Sequence, residues 1–191
     1  MAKTDPEAVK REKRKNIQWV ITIFLMTILI SGAISLFSDA VMETSGIVVA
    51  FCILMGIIFL GILFDIVGMA VATAEEKPFH SMAARKVPGA QEAIRLLRNA
   101  ERVSSICNDV VGDICGVVSG SASATIAALV LTSVQVAWPR GLSLLMSALV
   151  AGLTVGGKAI GKTIAVKSCT KIVHLVGRIL HGLNRVSKKK K

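Results

Sequence analysis

The chain has 191 residues, of which 53% are hydrophobic and 18% charged, with a mean hydropathy of +0.66. A water-soluble domain carries about 25% charged residues, so this composition excludes an ordinary soluble globular enzyme and points to the bilayer as solvent. The net charge of +11 is unevenly placed: residues 1–113 hold 12 basic and 12 acidic side chains, residues 114–191 hold 11 basic ones and no acid.

A basic half of this kind suits phosphate groups. Beside bilayer-length apolar segments, an anionic lipid leaflet is the expected partner. Nucleic acid is not, because 4% aromatic residues and no Tyr leave no platform for base stacking.

Residues 1–16 form a basic N-terminus with Lys3, Lys10, Arg11, Lys13, Arg14 and Lys15. Ile17–Phe37 follows without a charge and meets the length of about 20 apolar residues that a spanning helix needs. The basic start and Ala33-Ile34-Ser35 also suit a cleaved signal, but the apolar run exceeds the usual core of about 7–15 residues. A retained first span is the expectation. A second span runs from Gly46 to about Thr73, interrupted only by Asp65.

Ala74–Arg102 predicts two short helices broken by Pro88-Gly89. From Ala90 to Arg102, Ile94 and Leu97 oppose Arg95, Arg98 and Arg102, an amphipathic pattern suited to a membrane surface or to the protein itself. The third span is expected from near Ser104 to Trp138, and the fourth, the shortest, from about Leu142 to Gly157.

In the tail, residues 166–191, Lys167, Lys171, His174, Arg178, His181 and Arg185 recur at steps of three and four and predict one wet polar stripe. Ile172, Val173, Leu175, Val176, Ile179, Leu180 and Leu183 fill the rest. Lys167, Lys171, Arg178 and Arg185 thus form a basic face toward the headgroups, with Lys188–Lys191 as an electrostatic anchor.

Both termini and the middle connection together hold 22 basic residues, and the two opposite connections hold only Arg140. The positive-inside rule then places both termini in the cytoplasm of a multi-pass cell-membrane protein. The expected fold is all-α: four transmembrane helices with cytoplasmic amphipathic helices.

Acids within spans cost about 2.5–3.5 kcal/mol each on insertion scales and mark sites or pathways. Asp109 and Asp113 are four apart, so a regular helix projects both carboxylates from one face. Asn108 adds an amide oxygen, Ser104 and Ser105 hydroxyls, and Asp65 lies at comparable depth in the second span. Such oxygens are the hard ligands of Mg²⁺. They equally suit ion pairing with Lys or Arg, or a place at the interface.

Gly112, Gly116 and Gly120, then Gly152 and Gly156, put small residues at every fourth position. Small faces let helices approach closely in lipid, and packing within one bundle is favoured over a dimer seam. Gly156–Thr163 spells G-x-x-x-x-G-K-[ST], but an apolar helix rather than a strand precedes it and no acid follows, so no ATP site is expected. Cys52, Cys107, Cys115 and Cys169 lack CxxC spacing, and neither a disulfide framework nor a zinc site is expected. No nucleophile–base arrangement suggests an enzyme.

Several segments resemble one family. Gly89-Ala90 followed by Leu96-Leu97-Arg98-Asn99-Ala100-Glu101-Arg102-Val103 looks like G-A-x5-L-L-x-x-P-[DE]-R-L, with Ala100 where Pro is usual. Asn108-Asp109-Val110-Val111-Gly112-Asp113 looks like G-N-x-L-V-N, and Gly157-Lys158-Ala159-Ile160-Gly161-Lys162-Thr163-Ile164-Ala165 like G-E-I-I-P-K-[ST]-I-A. These belong to the membrane domain of the CorB/cyclin M (CNNM) magnesium transporters, which residues 46–165 resemble, with residues 17–37 as an additional helix in front.

The resemblance implies a Mg²⁺-type divalent cation transporter or a homologue of its transport domain, paired as a homodimer, with Asp65, Asn108, Asp109 and Asp113 along the path. Two departures bear on this: Lys158 stands where the family has a metal-site Glu, and Asp65-Ile66-Val67-Gly68 lacks the Glu of a Ser-Glu-Thr segment. The alternative is a transport-inactive adaptor or regulator that keeps the fold, with Lys158 as an internal counter-charge to Asp109 or Asp113.

Overall fold

In a computed structural model, residues 6–44, 46–133 and 139–188 are described. Within them the side chains of residues 6–16, 37, 39, 42–44, 133 and 185–188 are not. The basic side chains of the N-terminal segment, Asp39, Glu43, Arg185, Lys188–Lys191 and the Val134–Trp138 end of the expected third span therefore lie outside the described residues.

The described residues are all-α. Helix α1 runs Pro6–Thr44, α2 Ile47–Thr73, α3 Lys77–Ala84, α4 Ala90–Arg98 and α5 Ala100–Ser105. A π-helical segment, Ile106–Gly112, joins α5 to α6, Asp113–Ser133; α7, Pro139–Lys167, and α8, Cys169–Lys188, complete the chain. Four stretches are long and apolar enough to cross a bilayer: Ile17–Leu36, Ile47–Thr73, Ala100–Thr132 and Pro139–Lys167.

The central helix is α2, with one charged residue in 27. Toward one end, Ala50, Leu54 and Ile58 pack against Ala122 and Ile126 of α6 and Val150 of α7. Toward the other, Ala70 and Val71 meet Phe79 of α3, Ala93 and Leu97 of α4, Ala165 of α7 and Val173 of α8. A third cluster sets Val110, Ile114 and Val118 against Ile23 and Ile30 of α1 and Ile57 of α2. Outside these seams large apolar side chains are exposed, Leu29 at 72%, Leu36 at 75% and Leu144 at 72% among them. A surface of this kind requires an apolar solvent.

The helix that carries the fourth span begins at Pro139 and continues ten residues past Gly157 to Lys167, with Lys158 along it set against acids. The segment expected as one helix over Ala90–Arg102 divides at Asn99, whose side-chain amide donates to Arg95 O at 3.0 Å. Arg102 consequently belongs to α5, where its guanidinium carbon sits 5.2 Å from the Trp19 ring centroid and ties α1 to the bundle.

The glycines also depart from expectation. A Cβ on Gly116, Gly120, Gly152 or Gly156 would meet nothing within 4 Å: Gly116 and Gly120 border a cavity between α6 and α7, and Gly152 and Gly156 are exposed. Close approach occurs instead at Gly61, where a Cβ would lie 2.8 Å from Cys115 Cβ, and at Gly161, 2.8 Å from Ile66 Cγ1. Spacing reveals a small face but not the side to which it turns.

Candidate functional site

Along α2 and α7, Asp65 and Lys158 lie between the two core clusters that both helices enter, and Gly112 at the end of the π-helical segment meets them there. Lys158 Nζ stands 3.8 Å from Asp65 Oδ1 and 3.9 Å from Asp113 Oδ1, and donates to Gly112 O at 3.2 Å. The Asp65 side chain is only 5% exposed and that of Lys158 21%, whereas that of Asp113 is 71% exposed. An unpaired charge inside a protein costs several kcal/mol, about 3–5 where one partner of a buried pair is removed. The ammonium is therefore the counter-charge set against the buried Asp65 carboxylate.

The small residues shape this centre. A Cβ on Gly112 would stand 3.3 Å from Lys158 Nζ and 3.4 Å from Asp65 Oδ1, so the missing side chain leaves room for the ammonium. Gly68, one turn beyond Asp65, leaves room for the Asn108 carboxamide, into whose oxygen a Cβ would collide. Asn108 Nδ2 donates to Ser104 Oγ at 3.2 Å, while Asn108 Oδ1 and Asp65 Oδ2 are buried and accept no hydrogen bond.

The π-helical turn sets the register. Ile106–Gly112 winds with more residues per turn than an α-helix, so residues four apart no longer share the α-helical phase. Asp113 faces Lys158. Asp109 is exposed and has no ion pair or hydrogen bond among the described residues. The four predicted oxygen donors are thus divided: Asp65 and Asp113 meet through Lys158, Asn108 lies against Gly68, and Asp109 stands apart. Among the described residues no three His, Cys, Asp or Glu side chains form a metal-sized group.

A cavity of about 520 Å³ opens between α6 and α7 beside this centre. Asp113 and Lys158 line it together with Gly116, Gly120, Ser147 and Thr154. Ser119 and Ser123, also on its wall, donate back to Gly116 O and Gly120 O at 2.9 and 2.8 Å, so the polarity they present is reduced.

The basic tail helix divides differently from its sequence pattern. Lys167, Lys171 and Arg178 are exposed as expected, and Leu175, Ile179 and Leu183 share that exposure at 56–62%. His181 stays partly exposed but turns to α4, where its Nδ1 donates to Glu92 Oε1 at 2.9 Å. The hydrogen bond from His181 holds the Glu92 carboxyl below its ordinary value of 4.5. His174 is half-buried, with a buried Nε2 that has no hydrogen-bond partner. Sequence reasoning missed Glu92, whose partner lies 89 residues away.

Comparison with protein-family models, with curated proteins and with solved structures finds no match.

Proposed function

We propose that the chain is a membrane adaptor or regulatory protein whose acidic centre is neutralised by its own lysine. The carrying observation is Lys158 Nζ between Asp65 Oδ1 and Asp113 Oδ1. A cation crossing here would have to displace an ammonium that is covalently tethered and hydrogen-bonded to Gly112 O. In this reading the chain keeps the architecture of the CorB/cyclin M membrane domain and not its transport chemistry. Both termini and α3, α4 and α8 are cytoplasmic, in line with the positive-inside distribution, and the basic face of α8 meets an anionic leaflet.

Two copies pair in this account through the exposed face of Gly152 and Gly156, which packing within the protomer leaves open. The reading involves neither nucleic acid nor ATP, and no enzymatic reaction.

The second reading is Mg²⁺-type transport, favoured by the buried acceptors Asp65 Oδ2 and Asn108 Oδ1, which lack donors, and by the cavity that Asp113 and Lys158 line. Expression in cells deprived of their own Mg²⁺ uptake separates the two. The adaptor reading predicts no rescue of growth by the wild-type chain. Rescue that disappears in Asp65→Asn or Asp113→Asn establishes transport.

A further inference from the structure

The helices α4 and α8 approach each other more closely than side-chain packing alone allows. Gly89, at φ 87, adopts a left-handed conformation that glycine accommodates without strain, and a Cβ on it would lie 2.5 Å from Arg178 N. A Cβ on Gly177 would collide with Gly89 O and stand 3.1 Å from Ala93 N. One helical turn beyond Gly177, His181 meets Glu92 at 2.9 Å. This is the one ion-pairing contact that joins these two helices among the described residues.

We infer that Glu92 and His181 form a protonation-sensitive clasp between α4 and α8, tightened when the imidazole is charged and loosened when it is neutral. The chemistry is a change in one hydrogen bond. A neutral imidazole donates Nδ1–H to the carboxylate, and proton uptake at Nε2 turns the same contact into one in which both partners are charged, a stronger bond. Histidine is the side chain whose charge ordinarily changes between about pH 5 and 8.

The surroundings leave Glu92 as the acid that responds. On α4, Arg95 faces Glu92, and Lys86 in the α3–α4 turn shares with Glu92 and His181 a cavity of about 210 Å³. On α8 itself, Arg178 and His174 lie one and two turns away from His181. The one charged residue of α2, Asp65, is bound by Lys158. The charges named here other than Glu92 and the paired Asp65 are basic, so Glu92 is the carboxylate that the imidazole meets.

The clasp also bears on α7, since α8 follows it after the single residue Ser168. Its operation does not depend on whether a cation passes the bundle.

The test is amide exchange on the full chain in lipid nanodiscs at pH 5.8 and pH 8.0, corrected for intrinsic rates. Exchange in Ala90–Arg98 is expected to be roughly fivefold slower at the lower pH, the scale of a strengthened hydrogen bond. Glu92→Gln, which keeps size and hydrogen bonding but not charge, and His181→Gln should each abolish that difference. Spin labels on Gln91→Cys with Asn184→Cys provide a second readout, expected to narrow in distance distribution at pH 5.8. A wild-type chain with no pH response in either measurement overturns the clasp. So does a Glu92→Gln chain that retains the full response.

Discussion

Lys158 and Asp65 meet across the α2–α7 seam with 3.8 Å between Nζ and Oδ1, both on helices apolar enough to cross a bilayer. The pair converts what hydropathy reads as two isolated costs into one neutral unit. It also explains why α7 continues through a lysine without a break.

Removing one partner should therefore cost more than removing both. Lys158→Met is expected to destabilise the detergent-solubilised protein by about 3–5 kcal/mol, the range for an orphaned buried charge. Asp65→Asn in the Lys158→Met background should recover most of that loss. Thermal unfolding of the two single variants and the double variant measures the coupling directly.

Two classes of glycine should respond in opposite ways. Gly61→Ala and Gly161→Ala introduce a Cβ 2.8 Å from Cys115 Cβ and Ile66 Cγ1, and overpacking of this kind costs about 1–3 kcal/mol. Gly116→Ala and Gly152→Ala meet open space within the protomer. They should leave its unfolding temperature unchanged or slightly raised, since Ala favours the helix. Any loss they cause should appear in self-association, measured by light scattering.

The acid limb of stability should carry the mark of Glu92. Its carboxyl is held below the ordinary value by the His181 hydrogen bond, so the folded state binds its proton less readily than the unfolded state does. Stability from this group is present above the ordinary carboxylate range and is lost as pH falls through the lowered folded value. Unfolding curves for wild type and Glu92→Gln should converge near the acid end, at about pH 3, and separate as pH rises through the carboxylate range.

The docking of α1 should depend on Trp19. The Arg102 guanidinium over its ring is worth about 0.5–1 kcal/mol at an exposed site and more when desolvated. Trp19→Leu should raise amide exchange in Ile17–Leu36 while leaving Ile47–Thr73 protected.

Much of the fold is legible because hydropathy and helix length act locally. Ile17–Leu36 and Ile47–Thr73 stand out from composition alone, and Pro88-Gly89 marks the break between α3 and α4. What escapes is long-range or concerns register. The end of α7 is hidden because a neutralised Lys158 looks like a boundary until Asp65 is beside it. The separation of Asp109 from Asp113 is hidden because the π-helical turn leaves no periodic trace. His181 carries an amphipathic signal that suits water equally well, and only the fold brings Glu92 to it. The open space at Gly116 and Gly152 is set by how α6 and α7 seat on α2, which residue spacing does not specify.

The most direct test of the lysine-neutralised centre is Mg²⁺ flux into proteoliposomes carrying the wild-type chain, read with an internal fluorescent indicator. The account predicts flux equal to that of protein-free liposomes. Saturable uptake by the wild-type chain, abolished by Asp65→Asn, would contradict it.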